Sequence, residues 1–444
     1  MTSTLNEQDA AAEAPRRVRK WRPPAIESLE DTGLTRGFLS DMALKVLYFQ
    51  GQASGYEIAE TLHIPYTTVL APIMDFLKRE QMCEVKGSGG LGSGSYQYVI
   101  TSKGGSRARD QLERTTYVGP APVPYEEYVF AMRAQGGGRL RVNPRMMRRA
   151  LSDLVLEERV FAKVGPAVNS GKSIFLYGPP GNGKTSIAEG VGRMVLDDDI
   201  YIPYSLMVDG QVVLLYDEIN HEATNGNGEK TTTDDLVANR ADPRWIRIHR
   251  PVIMVGGELT LDGLELQYDQ INKYYEAPYQ LKANGGMFLI DDFGRQQVRP
   301  RDLLNRWIVP MEKNIDFLTL HTGRKLEVPF ELLLVFSTNL PPRDLVDEAF
   351  LRRIRHKIEV PPPDFDNYRK IFKRVCMQRN VSYDEQAVRY LLQEYYIKPE
   401  RKLRANHPRD LLDQITDIAG YMDIEPVLSK ELLDRAAESY FVDL

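Results

Sequence analysis

Apolar residues recur at helical spacing in the first quarter of the chain. Leu39, Met42, Ala43, Val46 and Leu47 share one face of a helix, residues 55–63 read as a second short helix, and residues 66–80 as a third. Two runs of strand character follow, Cys83-Glu84-Val85-Lys86 and Tyr96-Gln97-Tyr98-Val99-Ile100, on either side of a glycine-rich turn at 87–94. A further helix closes this unit, which is assigned to residues 33–118. Ahead of it, Ala, Glu, Pro and Arg without periodicity predict a disordered arm over residues 1–32. Behind it, Gly119, Pro120, Pro122 and Pro124, then Gly136-Gly137-Gly138, predict a linker over 119–145. Strands and helices alternate over 146–363, an α/β pattern. From 364 to 444 the periodicity is helical throughout, with Tyr368, Ile371, Phe372 and Val375, then Val388, Leu391 and Leu392, then Leu411, Leu412, Ile415 and Ile418.

Composition narrows the class without naming a function. At 444 residues and a net charge of -5, the chain has the profile of a soluble globular protein with room for two or three domains. Mild acidity argues against a protein built mainly to coat nucleic acid, although a local basic patch is left open. No apolar run approaches the roughly 18–20 residues of a membrane span. Arg16, Arg17, Arg19 and Lys20 lack the apolar stretch of a signal peptide. Cys83 and Cys376 lie far apart and outside any CxxC pair, which points to no disulfide framework, no zinc site and a reducing cytoplasm.

The chemistry is concentrated in the α/β block. The apolar run Ser173-Ile174-Phe175-Leu176-Tyr177 reads as a buried strand and leads directly into Gly178-Pro179-Pro180-Gly181-Asn182-Gly183-Lys184-Thr185, with Ser186 opening a helix. Glycines there permit positive φ and close backbone approach, so main-chain N–H groups and a helix N-terminus can face phosphates. Lys184 is expected on the β- and γ-phosphates and the Thr185 hydroxyl on Mg²⁺, with ATP as the nucleotide. Hydrolysis needs acidic residues at the end of a neighbouring strand, and two stretches have that form. Val212-Val213-Leu214-Leu215-Tyr216-Asp217-Glu218 comes too soon after the loop for a full crossover, so Met287-Phe288-Leu289-Ile290-Asp291-Asp292 is preferred. Asp291 is then expected to hold the Mg²⁺ shell and Asp292 to polarise the attacking water. At the end of the next apolar strand, Asn339 of Ser337-Thr338-Asn339 is expected to hold that water against Asp292.

Two resemblances extend this reading. Residues 33–118 look like a winged helix, a helix-turn-helix with a β-hairpin wing. The order of GPPGNGKT, the hydrophobic-Asp-Asp strand end, Ser337-Thr338-Asn339, Ala349-Phe350-Leu351-Arg352-Arg353-Ile354 and Asn406-His407-Pro408-Arg409-Asp410-Leu411 resembles the AAA+ ATPase superfamily over about two thirds of the chain. Residues 279–292 and 303–313 are similar to the MoxR-like, magnesium-chelatase and enhancer-binding-activator branches, without the activators' GAFTGA loop. By resemblance the fold is a P-loop α/β domain over 146–363 with a helical lid over 364–444. Arg352 is the arginine finger, with Arg353 and Arg355 in reserve. Arg409 is the sensor 2 arginine, and a homo-oligomer, a hexamer, is implied. Residues 197–282 exceed a normal connection and read as a folded insertion. Aspartate at position 292, where a glutamate is usual, puts fast hydrolysis in question.

Two functional classes follow. In one, the ATPase remodels a protein client in a chaperone-like way; in the other, the winged helix brings it to DNA as a regulator or loader. Lys78 and Arg79 are opposed by Asp75 and Glu80, and the wing is mostly glycine and serine, so the protein client leads.

Overall fold

The computed structural model describes residues 21–90, 92–136, 141–196, 198–224, 241–345 and 351–441. Residues 33–118 form three helices, a hairpin and a closing helix. They are α1 (Arg36–Gln50), β1 (Gln52–Ser54), α2 (Gly55–Leu62), α3 (Ala71–Arg79), β2 (Cys83–Ser88), β3 (Tyr96–Ile100) and α4 (Ser102–Leu112). Local chemistry starts the first two helices: Thr35 caps α1 through the Phe38 amide, and Ser54 with Glu57 closes a reciprocal capping box on α2. Leu39, Leu47, Ile58, Leu70, Ile73 and Leu77 are fully buried together, so the helical periodicity read from the sequence is the core face. The short strand β1 has no signal of its own. It exists because it pairs antiparallel with β3, giving the sheet order β1-β3-β2.

The chain continues through β4 (Val123–Pro124), α5 (Tyr125–Gly136), α6 (Pro144–Ala150), α7 (Glu158–Ser170), β5 (Ile174–Tyr177) and α8 (Lys184–Leu196). Next come β6 (Asp199–Pro203), β7 (Ser205–Val208), β8 (Gln211–Leu214), β9 (Trp245–His249), β10 (Val252–Val255), β11 (Gln267–Tyr268) and β12 (Tyr275–Glu276). Then follow β13 (Met287–Ile290), the hairpin β14 (Ile315–Thr319) and β15 (Lys325–Pro329), β16 (Leu333–Thr338) and β17 (His356–Glu359). Five of these strands make one parallel sheet in the order β10-β13-β16-β5-β17. Both faces are covered, and all four residues of β13 are buried. The helices Phe365–Gln378, Glu385–Leu392, His407–Tyr421 and Lys430–Tyr440 form a separate core around Tyr368, Phe372, Leu391, Leu411 and Leu433. Among the described residues no helix is long and apolar enough to cross a membrane.

Three expectations are corrected. Residues 1–20 of the expected arm lie outside the described residues. Its last third is packed: the Trp21 ring meets Trp245 edge-on at 5.2 Å, Ile26 joins the N-terminal core and Thr32 is fully buried. The expected linker is structured as well, because β4 pairs parallel with β7, Ala121 and Val123 are buried, and α5 buries Tyr128, Ala131 and Met132. Its prolines suit an edge strand and a helix start, and do not prevent packing. Residues 137–140 of that stretch lie outside the described residues. The expected insertion is not one piece. Val252-Ile253-Met254-Val255 belongs to the main sheet as β10, paired with β13, whereas β11-β12-β8-β7-β4 form a second sheet and β6 pairs with β9. Residues 197 and 225–240 of the insertion are outside the described residues.

The second sheet carries the N-terminal unit. Val212 is part of that unit's core, with Met207, Leu214 and Tyr274 packed against it. Thr116 Oγ1 donates to the Asn272 carbonyl at 2.9 Å, and the Lys45 ammonium to the Tyr117 carbonyl at 2.6 Å. Arg244, immediately ahead of β9, ties the segment that leads into that unit to the chain before β4. Its fully buried guanidinium donates twice to Asp242 from Nε and Nη2, at 3.0 and 2.8 Å to Oδ2, and to the Thr32 carbonyl at 2.7 Å from Nη1. Removing one member of such a pair strands the other charge. Arg244→Met is therefore expected to destabilise the unit by about 3–5 kcal/mol. The shift of its unfolding midpoint in denaturant measures this, and a loss below about 1 kcal/mol would contradict the role assigned to the pair.

Candidate nucleotide site

The loop after β5 is shaped by three glycines at positive φ: Gly178 at 142°, Gly181 at 78° and Gly183 at 85°. At Gly178 the neighbouring backbone also forbids a side chain, and at Gly181 one would displace the Asn406 side chain. A Cβ on Gly178 would lie 2.4 Å from the Val360 carbonyl oxygen, and one on Gly181 would lie 2.1 Å from Asn406 Oδ1. The loop delivers Lys184 and Thr185 to the first turn of α8, at the carboxyl end of the parallel sheet.

Two neighbouring strands of that sheet, β13 and β16, supply the remaining groups. The Lys184 ammonium donates to the carbonyls of Gly178 at 3.0 Å and Pro179 at 2.9 Å, and to Asn339 Oδ1 at 2.7 Å. Burial lowers its pKa below the ordinary lysine value, while Asp291 and Asp292 pull it back. Asn339, beyond β16, donates from Nδ2 to Asp292 Oδ1 at 2.8 Å. One side chain thus bridges the cation of the loop to the carboxylate after β13. The Thr185 hydroxyl donates to Asp291 Oδ2 at 2.9 Å. A hydroxyl and a carboxylate oxygen side by side fit Mg²⁺, which takes one or two protein oxygens and completes its octahedron with phosphates and water.

These residues border a cleft of about 450 Å³ between the parallel sheet and the C-terminal helices. Residues 180–186, Asp291, Asp292, Asn339 and Arg409 all line it. Gly178 and Pro179 serve through the carbonyls that hold Lys184. The Arg409 side chain is 63% exposed and contacts Asp410 at 3.2 Å. Arg352 is exposed and does not line the cleft of its own chain; residues 347–350 of its expected helix lie outside the described residues. Arg353 pairs with Glu312 at 2.5 Å.

The rejected strand end has another use. Asp217 follows β8 in the second sheet, where its carboxylate pairs with Lys282 at 2.7 Å and accepts from the Ile219 amide at 2.9 Å. Burial alone would raise its pKa, but Lys282, the Ile219 amide and Asn220 together hold it down at about 2. It is a turn-forming carboxylate away from the cleft.

Sequence reading missed the contact between loop and helical unit. The Asn406 amide donates to the Gly181 carbonyl at 2.9 Å, and the Ala405 amide to Asn182 Oδ1 at 3.3 Å. Asn406 Nδ2 also donates to Asp410 at 2.7 Å, so the loop tip is tied to the helix that carries Arg409. Ile371, Arg374, Val375 and the segment 153–156 form the far wall of the cleft. The apolar Leu154-Val155-Leu156 run, unassigned to any helix or strand, was the available signal for that wall.

Residues 364–439, the C-terminal helical unit, match the family described as Domain of unknown function (DUF8689). No curated protein sequence matches the chain. Among solved structures, NtrX from Brucella abortus aligns at 12% identity with a TM-score of 0.37, over 68% of this chain and 55% of the NtrX chain, little more than half its length. RuvB from Thermotoga maritima, described as a Holliday junction branch migration motor, aligns at 12% identity with a TM-score of 0.36, over 65% of this chain and 70% of that one.

Proposed function

We propose that this protein is an AAA+ ATPase that binds ATP with Mg²⁺ in the cleft above β5 and couples its hydrolysis to remodelling of a protein partner. The observation that carries the reading is the chain of contacts Lys184–Asn339–Asp292 beside Thr185–Asp291, which joins the phosphate loop, β13 and β16 at one point. Lys184 supplies charge to the phosphates, Thr185 and Asp291 hold the metal, and Asp292 with Asn339 orients and deprotonates water. Arg409 closes the site from the helical lid. Arg352, exposed and outside its own cleft, serves a neighbouring subunit in a homo-oligomeric ring, a hexamer by resemblance. Cys83 and Cys376, both buried thiols with pKa pushed up to about 11 by burial, suit a reducing cytoplasm.

A second reading, a DNA-associated regulator or loader, rests on the winged-helix arrangement of residues 33–118. Its α3 face weakens that reading. Lys78 is bound to Asp75 at 2.7 Å, exposed Arg79 is followed by exposed Glu80, and Thr67, Thr68 and Pro72 are uncharged, so Asp75, Lys78, Arg79 and Glu80 together offer no net positive charge for phosphates. The full chain is expected to release phosphate from ATP in a Mg²⁺-dependent reaction that duplex DNA leaves unchanged. Micromolar, salt-sensitive DNA binding that accelerates turnover would replace the protein-client reading with the DNA one.

A further inference from the structure

The turn after β13 is organised around one side chain. Asp292 has φ 45°, in the left-handed region that a non-glycine residue enters only when its surroundings hold it there. Inside the turn lies the carboxamide of Gln296, whose residue is only 9% exposed. Its Nε2 faces three carbonyl oxygens, those of Asp291 at 3.0 Å, Gly256 at 3.3 Å and Asp292 at 3.4 Å. Its Oε1 accepts from the Gly294 amide at 2.8 Å. The two N–H groups of this carboxamide are shared among the three carbonyls, with the Asp291 contact the shortest and the Asp292 contact the longest, so one side chain spans the backbone of both carboxylate residues and the residue that follows β10.

The other restraints act next door. The Phe293 amide donates to the Ser337 carbonyl and the Thr338 hydroxyl to the Phe293 carbonyl, each at 2.7 Å, which pins residue 293 to β16. The Asp291 amide donates to the Val255 carbonyl at 2.8 Å, and the Arg295 amide to the Asp292 carbonyl at 3.0 Å. These contacts fix where the turn begins and ends. Among the described residues, Gln296 is the side chain that bonds the main chain of Asp292.

We propose that Gln296 is a positioning residue for ATP hydrolysis: its carboxamide holds Asp292 in the left-handed conformation from which its short carboxylate meets Asn339. The inference rests on the ATPase reading above. An aspartate has two side-chain torsions and little reach, so its aim is set by the backbone that carries it. A displacement of about 1 Å at a reacting group can cost roughly a hundredfold in rate. Gln296 also accounts for how an aspartate can serve where the resemblance leads one to expect a glutamate. The turn's backbone, and not a longer side chain, brings the oxygen to Asn339 at 2.8 Å.

The test uses Gln296→Met in the full chain, which keeps side-chain length and removes both the donors and the acceptor. Steady-state phosphate release is compared with equilibrium binding of a fluorescent ATP analogue. The expected result is a kcat lower by about 10- to 100-fold, with KM and analogue affinity within about twofold of the parent. Combined with Asp292→Asn, it is expected to slow the enzyme no further than Asp292→Asn alone, because both act on one group. A kcat equal to the parent's, a loss carried by KM and affinity, or a double variant slowed by the product of the single effects would each overturn the proposal. If Gln296→Met does not fold, Gln296→Asn, which withdraws the amide by one methylene, is read by the same split. A parent protein without ATP turnover would instead remove the ATPase reading itself, whereas full turnover in Asp292→Asn would leave that reading standing and overturn the role given to Gln296, because another group would then activate the water.

Discussion

Lys184→Ala is expected to bring ATP turnover down by about 100- to 1000-fold or more, the loss typical when one donor to a developing phosphoryl charge is removed. Nucleotide affinity should fall by about 10-fold to 150-fold, the equivalent of one hydrogen bond to a charged group at roughly 1.5–3 kcal/mol. The geometry explains why one residue has both effects. Its ammonium touches the Gly178 and Pro179 carbonyls of the loop and also Asn339 Oδ1, so it shapes the loop and meets the group that faces Asp292. Burial that lowers its pKa costs nothing to function, since arriving phosphates favour the protonated form. Phosphate release and equilibrium binding measure the two losses, and parental turnover in the variant would end the assignment. If sites are shared between subunits, mixing Lys184→Ala with Arg352→Ala chains should restore some turnover. Mixtures as inactive as their components would remove Arg352 from a neighbour's site.

Asp292→Asn carries the second large effect. Asparagine is the same size and its Oδ1 can still accept from Asn339 Nδ2, so the contact now at 2.8 Å survives. What is lost is the charge and the capacity to take a proton. General-base catalysis contributes about 10²- to 10⁴-fold, and kcat should fall by that order with nucleotide binding nearly unchanged. Asp292→Glu separates aim from chemistry: it keeps the base but adds a methylene in a turn that already directs the carboxylate toward Asn339. Turnover undiminished in Asp292→Asn would show that another group activates the water.

Much of this site lies in contiguous stretches of chain, and that is why it was legible. The loop proposed to cradle phosphates would do so with backbone N–H groups from one short stretch, so Gly178, Gly181 and Gly183 fall together, immediately after an apolar strand. The strand ends that bear Asp291 and Asn339 follow four- and six-residue strands whose residues are all buried, a pattern that stands out at any position in a chain. Legibility failed where a segment's role is set by a distant partner. Trp21 and Ile26 are isolated apolar residues in a polar context, and Trp245 and the N-terminal core that receive them appear in no local window. The prolines of 119–124 suggested an unpacked linker, and the stretch packs instead, because β4 is a strand only by virtue of β7.

The sequence by itself determined the helical periods of the N-terminal unit, the glycine-rich loop and its strand, and the acidic strand end with its polar neighbour, because each is a short-range pattern imposed by local sterics and burial. Only the tertiary structure decided that β10 belongs to the main sheet, that the N-terminal unit sits on the second sheet through Val212 and the Thr116–Asn272 contact, that Asn406 holds the loop tip and that Gln296 holds Asp292. Those are hydrogen bonds and packings between residues remote in sequence, or between side chain and backbone in a folded turn. Their partners are selected by the assembled core, and no local spacing records the choice.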